Sequence, residues 1–597
     1  MNSLRLAALL SIALFTLSAC GKEEAPTSAG ASADKSADKS DGPHNSLLSY
    51  VPAGTPYLGG NLAPTPNDVI DSFLKRLEPV AATAQAQLEE LKAQLAANPD
   101  VADPASRLGL AVLHELDGKL NRPGLESLGL DPQGQQVFYG MGVFPTARVE
   151  LGDAQALKAT VQRVLDAAGI TEPQQEFQGV AYWKVAAESD PSQGKLPVSV
   201  YIAILEDHIA LSIFPDSVQT ELLPLFLGLK KPDTSDAEAR LKAVQSKYAY
   251  TPYFAAVADM SLLADELLNP ETLFARSAGD WYTTQLADLG DQCKSEFREI
   301  IGHTPRLVMG STELTTNAIG IQYVVETQPD QALQLIGLLA DVPMAAAASN
   351  RLLEFAFGLK VGAVRDFLLA EATAINASPY QCEHLQDLNA DAAVALTKLN
   401  EPLPPLVNNF RGLRLSLSKL SMGQSSVPEA AAGLLAVHVD QPELFVGMAQ
   451  MFLPDLSSLK LVKGEPPVQL PQTMIPLADT VAFAALTDSA IGISMGADEE
   501  KALVPYLEQS AATNGTFLSV SYDSAAYLDF ASKLEDGLEE FSEQPDETAD
   551  PEAAQQGPVK TVSAAMRQAY ANAVDRSQID ARFTEQGLLI DSRMTFK

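Results

Sequence analysis

Residues 206–226 read EDHIALSIFPDSVQTELLPLF, and residues 487–507 read TDSAIGISMGADEEKALVPYL. The two stretches align without a gap at a displacement of 281, which sets Asp207 on Asp488, Leu222 on Leu503 and Pro224 on Pro505. Each reads as a β-hairpin with an acidic residue in its turn, followed by a short apolar helix. The strand alternation is out of step by one residue, with Leu211 and Ile213 set against Ile491 and Ile493.

Working outward, other pieces recur in the same order. The strand at 253–257, leading to Asp259 and Asp265, resembles 517–521 with Asp523 and Asp529, displaced by 264. Asp153 and Leu157 match Asp440 and Leu444 at 287, and LTTNAIGI at 314–321 matches FTEQGLLI at 583–590 at 269. Strand, Asp and helix form a common pattern, and it is the shared order at similar displacements that points to a duplicated module. The expected fold is α+β, in two duplicated halves at 46–343 and 344–597, each of antiparallel hairpins covered by helices on one face.

Between these landmarks, 57–62 suggests a strand, and Asn67 and Asp68 open a helix that Pro79 interrupts. A helix is expected at 81–97 and strands at 137–143 and 147–151, the latter ending in Gly152-Asp153 as a helix cap. The region 345–399 reads as helical, with Phe355, Phe357, Val361, Val364, Phe367 and Leu368 as core. The acidic, Pro-containing stretch 534–556 reads as a frayed helix end and a disordered loop.

The N-terminus is a weakly basic start, a twelve-residue apolar run at 6–17 (LAALLSIALFTL), and then Leu17-Ser18-Ala19-Cys20. That run is too short for a permanent span, which needs about 20 apolar residues, but suits a secretory signal. The tetrapeptide resembles the lipobox of bacterial lipoproteins. The resemblance implies a signal peptide at 1–19, removed in the mature protein, and acylation of Cys20, with membrane attachment through that lipid. Residues 20–45 lack aromatic and β-branched aliphatic side chains and read as a disordered tether. Gly21 stands where inner-membrane lipoproteins often carry Asp, so the resemblance implies the outer membrane, facing the periplasm. The wording YVPAGTPY at 50–57, with ESLGLDP at 126–132 and FPTARVEL at 144–151, resembles a group of uncharacterised proteobacterial lipoproteins and brings no activity with it.

A chain of 597 residues with 46% hydrophobic content suits at least two globular domains. Its formal charge of −35 argues against nucleic acid, whose phosphates demand Lys and Arg, and against flat docking on anionic lipid. Apart from Cys20 only Cys293 and Cys382 occur, and an oxidising compartment makes their pairing the expectation; two separate buried thiols are the alternative. With no CxxC and no nearby His pair, no metal or cofactor is expected.

The chain carries no HExxH and no GxxxxGK[ST]. His44, His114, His208, His303, His384 and His438 read as ordinary surface or core histidines. The spacing SxxK occurs at Ser72 and Lys75, Ser416 and Lys419, and Ser457 and Lys460, without the KTG that accompanies it in serine acyl-enzymes. No catalytic residue is assigned. The expected function is binding or scaffolding with an envelope protein as partner; a carrier of a hydrophobic ligand and an enzyme of unrecognised type are the alternatives.

Overall fold

The computed structural model describes residues 45–76, 104–171, 173–186, 198–345, 350–422, 428–452, 459–475, 477, 480–528 and 570–597. Cys20 and the stretch up to 44, the expected helix at 81–97, Ser457 and the acidic segment 534–556 lie outside them. The chain mixes α and β structure, and its described residues fall in two compact units: those within 45–290 and 305–321 form the first, and those within 291–304, 322–528 and 570–597 the second. Residues 291–304 join the second unit because Cys293 is bonded there to Cys382. Residues 322–326 join it too, where the Gln322 amide donates to Asp591 at 2.7 Å.

The first unit contains β1 (Tyr57–Gly60), β2 (Gln136–Met141), β3 (Phe144–Glu150), β4 (Gln175–Phe177), β5 (Val180–Ala186), β6 (Val198–Ile204), β7 (His208–Pro215), β8 (Ala255–Asp259) and β9 (Arg306–Leu314). Their antiparallel order is β9-β8-β1-β2-β3-β7-β6-β5-β4. After β10 (Ala318–Glu326), the second unit contains β11 (Leu353–Gly358), β12 (Phe410–Met422), β13 (Pro428–Val439), β14 (Val468–Gln469), β15 (Ala482–Leu486), β16 (Ala490–Met495), β17 (Thr516–Asp523), β18 (Val574–Thr584) and β19 (Gly587–Phe596). Its order is β19-β18-β17-β11-β12-β13-β16-β15-β14, again antiparallel. With β4 and β19 set aside, the eight strands that remain in each order follow the same chain of connections.

The ladders also account for the one-residue slip in the sequence alignment. Ile204 faces Ile209 across the first hairpin and Leu486 faces Ile491 across the second, so the hairpins correspond at 282. The helices behind them, Gln219–Phe226 and Glu500–Leu507, keep 281, because Pro224 and Pro505 hold the same place in each. At 282 the alternation agrees, with Ile209, Leu211 and Ile213 on Ile491, Ile493 and Met495. Asp207 then falls on Ser489 rather than Asp488.

Two expectations need correction. Residues 353–358 form strand β11 rather than helix: Leu353, Phe355 and Phe357 alternate with period two, and helix begins only at Val361. Nor do helices keep to one face of the first sheet. Val149 packs with Leu157 and Leu165 of helix Ala154–Ala167, whereas its neighbour Arg148 reaches the end of helix Gln219–Phe226. Successive residues of a strand point to opposite faces, so both faces are approached. Asp153 caps the former helix, accepting from the backbone N–H of Gln155 and Ala156. Gly129, at φ +87°, lets the ESLGLDP loop close on that helix start, where a Cβ would lie 2.3 Å from the Asp153 carbonyl oxygen.

Candidate functional site

Cys293, on helix Gly290–Gly302, is bonded to Cys382, which precedes the short helix Glu383–Leu385. Beside them the Glu296 carboxylate accepts from the Gln292 side chain at 2.8 Å and from the backbone N–H groups of Gln381 and Cys382, each at 3.0 Å. The donors hold its pKa below the usual carboxylate range, the Gln292 amide foremost. The bridge is thus a structural staple. Ser416 and Lys419 lie in β12, and Ser72 and Lys75 in the helix at 67–76, so neither pair has the helix-start setting that acyl-enzyme chemistry uses.

The segment YVPAGTPY at 50–57 does structural work. Thr55 Oγ donates to the Gly140 carbonyl at 2.7 Å, and the Tyr57 hydroxyl donates to the Val143 carbonyl at 2.9 Å. Both pin the YVPAGTPY segment to the β2–β3 hairpin.

Sequence reasoning passed over two buried arginines. Arg148 is 0% exposed on β3. Its guanidinium donates to the carbonyls of Leu225 and Phe226 at 3.0 and 2.9 Å, to the Tyr139 hydroxyl at 3.1 Å, and to His208 Nε2 at 2.6 Å. It also stacks 4.2 Å from the centre of the Tyr50 ring. Because arginine has donors only, the contact fixes His208 as the neutral tautomer, with Nδ1–H donating to Asp207 at 2.6 Å. The cation answers the partial negative charge at the C-terminal end of helix Gln219–Phe226. An Asp–His pair usually suggests a general base, but here the imidazole lone pair is occupied by a cation.

The second unit repeats the chemistry from different positions. Arg414, on β12, donates to the Tyr506 carbonyl at 2.7 Å and to Gln509, and lies 3.9 Å over the Tyr506 ring. Tyr506 follows Pro505 as Leu225 follows Pro224. Val137 faces Arg148 across β2 and β3, whereas Arg414 faces Ala436 across β12 and β13, so the arginine has changed sides of the pair. The histidine has changed sides as well. His208 faces Glu150, while His438 faces Ala490, the counterpart of His208. His438 is 3% exposed, and its Nε2 meets no hydrogen-bond partner among the described residues.

One motif needs placing: Gly492-Ile493-Ser494-Met495-Gly496 has the GxSxG spacing of a nucleophile elbow, which the sequence reading missed. Ser494 lies within β16, paired with Leu434 and Phe483 and fully buried, not on an exposed strand-to-helix turn.

The second sheet buries a small and polar rank and leaves two large apolar ranks partly open. Across β17, β11, β12, β13 and β16, the rank Ser519, Ala356, Arg414, Ala436, Gly492 is buried. On the other face, the ranks Val520, Phe355, Leu415, Leu435, Ile493 and Leu518, Phe357, Leu413, Val437, Ile491 are all only partly buried. The first of these corresponds in the first unit to Ala256, Gly59, Phe138, Ala147 and Leu211, a sparser set. The helix after β13 differs in the same sense. Leu157, in the first unit's core, is 5% exposed, while Phe445, at the same distance from the start of helix Pro442–Phe452, is only partly buried; on that helix Leu444 is 43% exposed and Met451 80% exposed.

Among the described residues no group of three or more His, Cys, Asp or Glu is placed to hold a metal ion. No helix among them is long and apolar enough to cross a membrane. The chain matches no family model, no curated protein and no solved structure.

Proposed function

We propose that this chain is a lipid-anchored cell-envelope protein, tied through Cys20 to the outer membrane on its periplasmic side, and that it works by binding or scaffolding rather than catalysis. In this reading the two units descend from one duplicated module, supported by their common strand order. The second unit carries the recognition surface. The observation behind this is the pair of partly buried apolar ranks on the second sheet, together with helix Pro442–Phe452, whose Leu444 stands 43% exposed and Met451 80% exposed. Contiguous exposed apolar surface on a folded domain marks an interaction site, and methionine adapts readily to varied partners. An envelope protein is the proposed occupant. The same ranks favour, as a second reading, a carrier that takes a hydrophobic envelope ligand.

The test is affinity capture from envelope extracts, with mass spectrometry of the proteins and extracted lipids retained. Leu444→Asp should weaken capture about tenfold, an effect of about 1.4 kcal/mol, which is reached by the few residues that dominate an interface. Leu333→Asp, at a residue 60% exposed on helix Pro329–Gly337, serves as the control and should leave capture unchanged. A retained protein supports the first reading and a retained lipid the second. Equal capture by both variants would refute the site.

Anchoring has its own test. Cys20→Ser should release the chain from the membrane fraction and abolish lipid labelling, because stable attachment needs the acyl chains. Unchanged membrane retention would remove the anchor from the proposal.

A further inference from the structure

We infer that Arg148 with His208 in the first unit, and Arg414 with His438 in the second, form a repeated acid-sensitive latch that fastens the C-terminal end of a short helix to its sheet. The geometry carries this. Each arginine holds the carbonyl that follows the helix proline, Leu225 O or Tyr506 O, and each shares its face of the sheet with a buried histidine. The pairing is retained although both residue types sit on opposite strands of their ladders in the two units. Helix fastening needs only the arginine. The histidine adds a group whose protonation would oppose that cation.

The charges around each ring set the sign. His208 faces Arg148 and Glu150 from β3, Asp207 from its own turn, Lys231 from beyond the helix, and the Tyr50 ring. Burial first, then Arg148 and Lys231, lower its pKa, while Asp207 acts the other way. His438 faces Arg414 from β12, which itself feels Glu354 and Tyr506; burial and then Arg414 lower its pKa to about 4. Both rings are therefore neutral in the folded chain at neutral pH, whereas unfolded histidine takes a proton near pH 6.5. The unfolded chain binds more protons between those values, so the latches lose stability as pH falls below about 6.5, and stability is present above it. In the first unit protonation also forces two donors together at Nη1 and Nε2, since the only lone pair there is gone.

The measurement is hydrogen exchange on the full-length lipoprotein in detergent micelles at pH 7.5, 6.0 and 4.5, corrected for the intrinsic pH dependence. Amides of 219–228 and 500–508 should lose protection on acidification, the latter by roughly 50- to 100-fold at pH 4.5 for a pKa of about 4 against 6.5. Amides of helix Ala154–Ala167, on the opposite face, should change less. His208→Gln keeps an acceptor for Arg148 without a titrating proton, and should hold 219–228 protected at pH 4.5. Equal acid loss in that variant, or no acid loss in the native chain, overturns the latch. Should the variant fail to fold at pH 7.5, the native profile decides: loss spread evenly over the first unit refutes it, and loss led by 219–228 supports it.

Discussion

Replacing Arg148 by Leu should destabilise the first unit by about 3–5 kcal/mol, far more than a surface change. Leucine fills part of the volume but strands the Phe226 carbonyl, the Tyr139 hydroxyl and His208 Nε2, which Arg148 now serves, and leaves the Leu225 carbonyl to the Gly228 N–H. Each unsatisfied buried group costs on the order of 1–3 kcal/mol, and partial relaxation keeps the total near the lower end of their sum. Both tryptophans, Trp183 and Trp281, belong to the first unit, so tryptophan fluorescence in a urea titration reads that unit alone. The midpoint should fall sharply. An unmoved transition would show that the buried guanidinium is not what fastens helix Gln219–Phe226.

Removing the disulfide should act on the other unit. The bridge spans a sequence separation of 89, and closing so long a loop is worth about 4–5 kcal/mol in the chain-entropy picture. Cys293→Ala with Cys382→Ala should therefore make 353–358 and 410–422 far more accessible to exchange and proteolysis. The Glu296 carboxylate loses its fixed donors at the same time, since the Gln381 and Cys382 amides are held in place by the bridge. The tryptophan transition should stay where it is. If it shifts as far as the second unit's, the two units do not unfold separately.

Much of this fold was legible because hairpins write themselves in period two and helix starts in capping residues. The stretches at 206–226 and 487–507, and the cap at Asp153, needed no tertiary knowledge. What escaped was which face of a strand is covered. In GLRLSLSKL the leucines look like core and Arg414 and Ser416 like surface, yet the structure buries Arg414 and Ser416 and leaves Leu413, Leu415 and Leu417 partly open. Alternation reveals two faces but not which one a helix will cover. The buried arginines were invisible for a related reason. Their acceptors are backbone carbonyls some 77 and 92 residues away, which no side-chain motif encodes. Residues 291–304 go with the second unit because a distant cysteine claims them, and not their neighbours in sequence.

Asn45 has a mechanical consequence. Its side-chain amide donates to the Asn61 carbonyl at 2.8 Å and the Gln136 carbonyl at 3.0 Å, and its oxygen accepts the Leu47 N–H at 3.0 Å. The residue is wholly buried, so it belongs to the folded unit and not to the disordered tether at whose end the sequence placed it. In the proposed anchored state, a lipid on Cys20 would pull on the chain here whenever the anchor or a bound partner is drawn away. That tension would enter at a carboxamide wedged between β1 and β2, loading several hydrogen bonds at once instead of peeling a strand end one bond at a time. Asn45→Ala should therefore lower the force at which the first unit yields when pulled from its N-terminus, more than it lowers resistance to urea.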